Sequence, residues 1–170
     1  MTAIFSDCGN YRYRLERVID TAGESKVFAF FGINPSTADA TTDDATISKM
    51  TGFATRAGAG RIIVGNVFSL ISTDINGLRK GLPLRGNEHD KHFQQIINDA
   101  DILIPCWGSR NKLAQEFRSS LDECMEILLS SQKPVRCFGK TKGTGDPCHP
   151  LMLAYSTKII EWELACQTGI

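Results

Sequence analysis

Two short polar motifs, far apart in the sequence, contain the side chains best suited to bind or transform a small polar ligand. Residues 30–36 read Phe-Phe-Gly-Ile-Asn-Pro-Ser, and residues 149–151 read His-Pro-Leu. Asn34 can donate and accept hydrogen bonds through its amide, and His149 can do so through its imidazole. Each precedes a proline, and such dipeptides are also common in ordinary turns. A shared site therefore requires a fold that brings the two motifs together.

The hydrophobic pattern predicts alternating strands and helices without an internal repeat. Tyr11, Tyr13 and Leu15 alternate with arginines, which predicts an early half-buried strand. The further predicted strands cover residues 27–33, 62–65, 102–104 and 135–138. The predicted helices cover residues 43–57, 89–99, 112–130 and 151–166, the first of them capped by Asp43 or Asp44.

This alternation predicts an α/β fold. We expect a three-layer α/β/α domain with a central, mainly parallel four-stranded sheet and an additional N-terminal strand or hairpin. Ligands of such sheets bind beyond the carboxyl ends of the strands. Both polar motifs follow predicted strands and fall at that edge.

Length and charge indicate one domain over residues 1–170 and exclude some partners. Nineteen basic and nineteen acidic residues cancel, so no global field attracts nucleic acid or an anionic membrane, and any nucleic-acid contact requires a local patch. No apolar run approaches the roughly 20 residues of a membrane span, and no signal sequence is evident. We therefore expect a cytoplasmic monomer without a membrane partner.

No cofactor and no metal are expected. The six cysteines form no Cys-x-x-Cys pair, which predicts reduced thiols instead of disulfides or metal ligands. His89 and His92 lie one helical turn apart, a spacing that can bind a metal but is more typical of a solvated helix face.

Four segments, in the same order, resemble motifs of the uracil-DNA glycosylase superfamily. Residues 32–36 resemble the first motif, in a form closest to the mismatch-specific thymine/uracil branch. Residues 62–68 are similar to the strand whose terminal asparagine reads the flipped base in the classical uracil branch, and residues 103–109 resemble its apolar-Trp-Gly-Ser segment. Residues 149–153 resemble the second motif. The resemblance covers residues 27–155 and implies a glycosylase-like arrangement of the fold.

The resemblance implies a DNA glycosylase that extrudes a base and hydrolyses its N-glycosidic bond, leaving an abasic site. Asn34 would orient the water, with slow turnover because an amide is no general base, and Asp39 or Asp44 is the alternative for this role. His149, as a neutral donor, would stabilise negative charge that develops on the pyrimidine O2, and Asn66 would read the Watson–Crick edge. Met152 or Leu153 would fill the gap in the base stack. The other candidate base contacts are Gly32, Ile33, Ser36 and Phe68.

One departure from the family points to the substrate. The classical uracil branch has a tyrosine, which excludes 5-substituted pyrimidines, two positions after its catalytic aspartate, where this chain has Ser36. A small residue leaves room for a methyl, hydroxymethyl or larger group, so we expect a modified pyrimidine, such as a base hypermodified by a phage. The cysteine quartet of iron–sulfur relatives is absent, and no cluster is expected.

Several of these residues also have structural explanations. Asn34 and Asn66 can each stabilise a turn at a strand end, and Trp107 is more typical of core packing or a pocket wall. The loop that contains Lys140 and Lys142 can contact phosphates but does not match the P-loop pattern. The candidate contacts to the DNA backbone or the sugar are Pro35, Asp39, Asp44, Ser109, Lys140 and Lys142, although an aspartate can equally cap a helix.

Three classes of function therefore stay open. The first is the glycosylase, the second an enzyme of the same fold that cleaves or binds a free nucleoside or nucleotide, and the third a non-catalytic nucleic-acid-binding or inhibitor protein. The neutral charge favours the second over the first. Nearly the whole chain also resembles an uncharacterised bacterial and phage family with Tyr-Arg-Tyr, Asn-Pro-Ser-Thr-Ala-Asp and His-Pro-Leu landmarks, which implies a phage-related role such as phage defence.

Overall fold

A five-stranded mixed sheet forms the centre of the protein. The computed structural model describes residues 2–19, 26–74 and 81–163. The strands are β1 (Thr2–Phe5), β2 (Arg12–Val18), β3 (Lys26–Gly32), β4 (Ala59–Asn66) and β5 (Ile102–Pro105), in the spatial order β1-β2-β4-β3-β5. Strands β4, β3 and β5 are parallel, whereas β1 and β2 form an antiparallel hairpin that extends the sheet beyond β4. This sheet confirms the predicted α/β class.

Three helices cover both faces of this sheet, because the central strands are apolar on both faces. The helices are α1 (Ala45–Arg56), α2 (His89–Asp99) and α3 (Ser119–Ser130). Phe28 and Phe30 of β3 pack in the cluster that contains α1, whereas Ala29 and Phe31 pack in the cluster that contains α2 and α3. Alternate side chains of a strand point to opposite faces, so a continuous apolar run buries both.

The glycosylase-like sheet of four parallel strands is not present in the described residues. The segment at residues 135–138 contacts the main sheet through a single parallel bridge between Val135 and Leu103. The strand that follows, β6 (Arg136–Cys137), pairs antiparallel with β7 (Ile160–Glu161) in a separate two-stranded sheet. The described residues therefore contain three parallel strands instead of the expected four, together with the N-terminal hairpin that the sequence predicted.

Two predicted helices have different bounds. Residues 110–112 and 115–117 form short 3-10 turns, and α3 begins only at Ser119, because Leu113 and Ala114 adopt extended backbone conformations. The predicted helix at 151–166 is wrong over residues 151–161, and within its described part only residues 162–163 are α-helical. Residues 150–152 form a 3-10 turn, β7 follows at Ile160–Glu161, and residues 164–166 lie outside the described residues.

Strand β2 differs from the simple alternation predicted for it. Ile4 pairs with Arg14 and Phe5 pairs with Arg12, so Tyr13 is an extra residue in a β-bulge. The bulge changes which side chains share a face. Tyr13 packs with α2, whereas Leu15 packs in the α1 cluster. Both faces of the start of β2 are buried, and Arg12 is 3% exposed instead of lying on a solvent face.

His89 and His92 are also buried, contrary to the prediction of a solvated helix face. They are 7% and 8% exposed, and the His92 ring stacks on Tyr13 at a centroid distance of 5.1 Å. Burial is the main cause that lowers the pKa of His89 to about 4. The helix therefore uses this face for packing against the sheet.

The sheet places three chain segments at one edge. Parallel strands β3 and β4 end there, and β2, which runs antiparallel to β4, begins there. The backbone stays ordered beyond the strand ends, because Val67 N donates to Gly32 O (2.9 Å) and Phe68 N donates to Ile33 O (2.8 Å). In the described part of the chain, no helix is long and apolar enough to cross a membrane.

Candidate functional site

A pocket of about 410 Å³ opens at this edge of the sheet, a volume at the lower end of the range for small-molecule sites. The ends of β3 and β4, the first turns of α1 and the start of β2 contribute to it, as do the 3-10 turns at residues 110–112 and 150–152 and the loops before them. Asn34, Asn66 and His149, which sequence analysis assigned to one site, all line it. The fold thus brings the two distant polar motifs together.

The side-chain nitrogen of Asn34 is hydrogen-bonded within the protein, whereas its side-chain oxygen faces no partner among the described residues. Its Nδ2 donates to Ser72 O (2.8 Å) and to Pro35 O (3.0 Å), and these bonds fix the orientation of the side chain. Oδ1 has no hydrogen-bond partner among the described residues. The turn role and the site role are therefore compatible, since the nitrogen stabilises the loop and the oxygen stays available as an acceptor.

Asn66 is the last residue of β4 and is 7% exposed. Its side-chain amide makes no hydrogen bond with any described residue, although buried polar groups are usually paired. A Cβ atom on Gly32 would lie 3.0 Å from Asn66 Oδ1, so a glycine at the end of β3 is what lets this amide lie close to the backbone. Asn66 consequently presents both donors and an acceptor to whatever occupies the pocket.

His149 precedes the 3-10 turn at residues 150–152 and is fixed in one tautomer by it. Leu151 N donates to His149 Nδ1 (3.3 Å), which places the proton of the neutral ring on Nε2. Burial and, secondarily, the charge of Lys112 lower the pKa of His149, while Asp44 acts in the opposite direction. The ring is therefore a neutral hydrogen-bond donor at neutral pH.

The loop before His149 is tied to the loop after β5. Gly108 N donates to Pro147 O (2.9 Å), and Gly108 adopts a φ of 79°, which favours glycine. A Cβ atom at this position would also lie 3.2 Å from His149 Cβ. The buried carboxylate of Asp146 accepts hydrogen bonds from Arg110 N (2.7 Å) and Arg110 Nε (2.9 Å). These contacts hold the imidazole at the pocket.

Asp44 caps α1, as one of the two predicted alternatives, and also lines the pocket. Its Oδ1 accepts a hydrogen bond from Ile47 N (2.8 Å) at the start of α1. Asp39, in contrast, is tied to its own turn by Thr41 N (2.7 Å) and Thr42 N (2.8 Å), and it does not line the pocket. Geometry therefore separates the two aspartates that sequence analysis left as alternatives.

The structure brings most, but not all, of the predicted site residues to the pocket. Those that line it are Gly32, Ile33, Asn34, Ser36, Asp44, Asn66, His149 and Met152, the last 90% exposed. Those outside its lining are Pro35, Asp39, Phe68, Ser109, Lys140, Lys142 and Leu153.

Three of these outside residues have clear structural roles. Phe68 is 2% exposed in the core, so it cannot contact a base in the pocket as predicted. Leu153 packs against the α1 cluster, which leaves Met152 as the exposed side chain of the proposed wedge. Lys140 Nζ lies 4.7 Å from the ring centroid of Trp162, away from the pocket lining.

Sequence reasoning missed several residues that line the pocket. Trp107 is not one of them, because the sequence already indicated core packing or a pocket wall; it is 3% exposed, forms part of the wall, and its indole N–H has no partner among the described residues. Arg12 was overlooked because the alternation suggested a solvent face. The remaining polar ones are Thr46, Ser72, Thr73 and Lys112. In the described part of the chain, no group of three or more His, Cys, Asp or Glu side chains is arranged to hold a metal ion.

Asn34→Asp is expected to destabilise the protein, although aspartate is the better general base. The carboxylate would face the carbonyl oxygens of Pro35 and Ser72 in place of the donor that now bonds them. We expect the free energy of unfolding to fall by about 1–3 kcal/mol at neutral pH. Urea denaturation measures this change. Asn111→Ala, an exposed asparagine outside the pocket, is the control and should be near neutral. Equal stability of Asn34→Asp and wild type would contradict the assigned orientation of the amide.

Comparison with known proteins identifies a family but no activity. Residues 12–151 match DUF1643, which is described as a protein of unknown function. No curated protein and no solved structure matches the chain. The matched segment begins at Arg12 and ends at Leu151, both of which line the pocket. Since this match spans most of the 170 residues, the chain belongs to the DUF1643 family.

Proposed function

We propose that the pocket binds a nucleotide base and that the protein hydrolyses its N-glycosidic bond, acting as a DNA glycosylase on a 5-substituted pyrimidine. The observation that carries this proposal is the convergence of Asn34, Asn66 and His149 on one pocket at the carboxyl ends of β3 and β4. The resemblance of the surrounding motifs to the uracil-DNA glycosylase superfamily supports it. Each of the three side chains offers a function that the reaction needs.

His149 is the group that would stabilise the departing base. Cleavage places negative charge on the base and positive charge on the sugar, so a donor that points at the base lowers the barrier. The neutral tautomer, with Nδ1 engaged by Leu151 N, leaves Nε2–H for the pyrimidine O2. A neutral donor suits this role, because its proton stays on the ring while the anion develops.

The attacking water would be oriented by Asn34 Oδ1. This oxygen has no other partner among the described residues, and the amide is held by its two backbone bonds. Asp44 lines the same pocket and is its one carboxylate among the described residues, so it supplies the negative charge that would stabilise the sugar cation. Asp39 has no part in this scheme, because its carboxylate is used in its own turn.

The base would be recognised by Asn66 and accommodated by Ser36. The amide of Asn66, which has no hydrogen-bond partner among the described residues, can donate to and accept from the polar edge of a pyrimidine. Ser36 lines the pocket with a small side chain, which is consistent with space for a 5-substituent. Met152, exposed at the rim, would replace the extruded base in the stack.

A free nucleotide is the second candidate substrate. One observation favours it over DNA, the zero net charge of the chain. A protein that holds duplex DNA usually neutralises many backbone phosphates with lysine and arginine. The chemistry at the glycosidic bond would be the same for both substrates.

A base-release assay tests the proposal directly. DNAs that contain uracil, 5-hydroxymethyluracil, 5-hydroxymethylcytosine or its glucosylated form are incubated with the protein, and alkali-labile abasic sites are measured. We expect release from a 5-substituted pyrimidine, lost in Asn34→Ala and retained in Asn111→Ala. The corresponding free nucleotides are assayed in parallel by chromatography. A folded protein that releases no base from any of these substrates would reject N-glycosidic cleavage.

A further inference from the structure

Arg12 is a buried cation on the wall of the pocket. It is the first residue of β2, is 3% exposed, and lines the pocket together with Asn66 and His149. Tyr11 and Tyr13, its neighbours in the chain, pack with α2, and Arg12 lies on the opposite, α1 side of the sheet, where its Nη1 donates to Ala38 O in the loop that follows β3. Burial of a guanidinium costs several kcal/mol unless the charge is paired.

The remaining donors of Arg12 are not satisfied within the described protein. Its Nε is buried and has no hydrogen-bond partner. No carboxylate oxygen of a described residue lies within 4.0 Å of its guanidinium, as an ion pair would require.

Arg17, on the same strand, shows what a purely structural buried arginine looks like in this fold. It is 1% exposed, its Nε donates to Asp43 Oδ1 (2.7 Å), and its terminal nitrogens donate to Glu16 O (2.8 Å) and Asp39 O (2.6 Å). All of its nitrogen atoms are therefore engaged. Arg12 differs in being unpaired and in facing a cavity.

The electrostatic surroundings of Arg12 favour an anion. Burial is the main cause that lowers the pKa of Arg12 to about 10, and the opposing attraction of Asp44 and Asp39 does not offset it. The guanidinium nevertheless stays charged at neutral pH. Although the whole chain has no net charge, the charged residues that line the pocket are two cations, Arg12 and Lys112, and one carboxylate, Asp44.

The first turn of α1 adds hydrogen-bond donors beside this cation. Asp44, Thr46 and Ile47 line the pocket, so the positive end of the twelve-residue helix contributes to it. The carboxylate of Asp44 opposes an anion, but its Oδ1 is engaged by Ile47 N. The hydroxyl groups of Ser36 and Thr46 lie on the same lining and can donate to an oxyanion.

We propose that Arg12 and the first turn of α1 form a subsite for the phosphate group of the nucleotide whose base contacts Asn66 and His149. This inference rests on the proposed N-glycosidase function and specifies its substrate as a phosphorylated nucleoside. The phosphate comes either from a free nucleoside 5′-monophosphate or from the backbone of an extruded nucleotide in DNA. A guanidinium suits both, because its planar fork binds two phosphate oxygens at once.

Calorimetric titration with matched probes tests the subsite without any need for turnover. The probes are deoxyuridine and 5-hydroxymethyldeoxyuridine, each with and without a 5′-phosphate. Wild-type protein should bind at least one monophosphate about ten to a hundred times more tightly than its nucleoside, as expected for hydrogen bonds to a charged group. Arg12→Gln should abolish this preference. Arg14→Gln is the matched control, because Arg14 is buried on the same strand but pairs with Glu16 and Asp99 outside the pocket.

A single-stranded oligonucleotide with one target nucleotide distinguishes the two sources of phosphate. Arg12-dependent binding of the oligonucleotide without a preference among the free probes assigns the subsite to a backbone phosphate, and the reverse assigns it to a free nucleotide. The proposal is overturned if neither ligand shows Arg12-dependent binding in protein that circular dichroism shows to be folded. Phosphate preference without any base release would retain the subsite and reject the glycosidase. Base release that is unaffected by Arg12→Gln would retain the glycosidase and reject the phosphate subsite.

Discussion

Replacement of His149 by alanine is expected to lower the rate constant of base release by about 10²- to 10³-fold, the usual cost of removing one donor to a developing anion. The fold should tolerate the change, because the imidazole lies at the pocket and its one hydrogen bond to a described residue is with Leu151 N. Single-turnover kinetics on the substrate identified by the release assay give the rate constant. Thermal melting followed by circular dichroism shows whether the variant is folded.

The pH dependence separates a chemical role of His149 from a merely structural one. Burial lowers the pKa of His149 below its ordinary value of 6.5, so the ring is still mostly neutral at pH 6.5. Protonation of Nδ1 below it would place a proton against Leu151 N–H and disturb the turn. We therefore expect an acidic limb in the rate profile that lies below pH 6.5 and is absent in His149→Ala. A limb of the same shape in the variant would assign it to another group.

His149→Gln provides the conservative comparison. A glutamine amide can donate a hydrogen bond but does not titrate, so it should recover part of the rate and lack the acidic limb. Equal rates for wild type, His149→Ala and His149→Gln would exclude the histidine from the reaction. Asn34 and Asp44 would then be the remaining polar groups that could act on the sugar side of the bond.

The parts of this structure that could be predicted are those in which local sequence and tertiary packing agree. The apolar run before Asn34 forms β3, and the spacing of Ile47, Met50 and Phe53 forms the buried face of α1. The position of Asn34 after one parallel strand and of Asn66 at the end of its neighbour was enough to predict that they meet. Such a prediction needs no knowledge of side-chain contacts.

The parts that failed depend on non-local pairing. The chain at residues 151–163 has enough apolar residues for a helix, but Ile160–Glu161 pairs with Arg136–Cys137, a contact that no local pattern encodes. Arg12 was missed for a related reason, because tertiary packing buries both faces of the start of β2, which the alternation of tyrosines and arginines does not reveal. An arginine between two tyrosines was the one sequence signal that could have identified it.

Asp146→Ala is expected to reduce both stability and activity, because this carboxylate anchors the loop that carries His149. Its side chain is 1% exposed, and it accepts hydrogen bonds from the backbone and the side chain of Arg110. Removal leaves the part-buried N–H of Arg110 and part of its guanidinium without this partner. We expect the free energy of unfolding in urea to fall by about 3 kcal/mol, the lower end for a broken buried pair, since Arg110 is partly exposed.

Asp122→Ala is the matched control for this anchor. Asp122 binds the same guanidinium from the other side (2.8 Å), but its side chain is 56% exposed. Exposed ion pairs contribute at most about 1 kcal/mol, so this variant should be nearly as stable as wild type and fully active. Equal destabilisation by the two substitutions would show that burial of Asp146 does not matter.

The effect of Asp146→Ala on activity should appear in kcat more than in KM. His149 follows Asp146 closely in the chain, and a displacement of the donor by about 1 Å can cost up to a hundredfold in rate.

Burial alone would raise the pKa of Asp146, but the hydrogen bonds from Arg110 and Thr144 outweigh it and lower the pKa below 3.8. A lowered carboxyl pKa stabilises the fold above 3.8, and this contribution is lost as the pH falls through the folded-state value. The difference in unfolding free energy between wild type and Asp146→Ala should therefore persist at neutral pH and narrow below pH 3.8. A difference that does not change with pH would assign the effect to packing instead of charge.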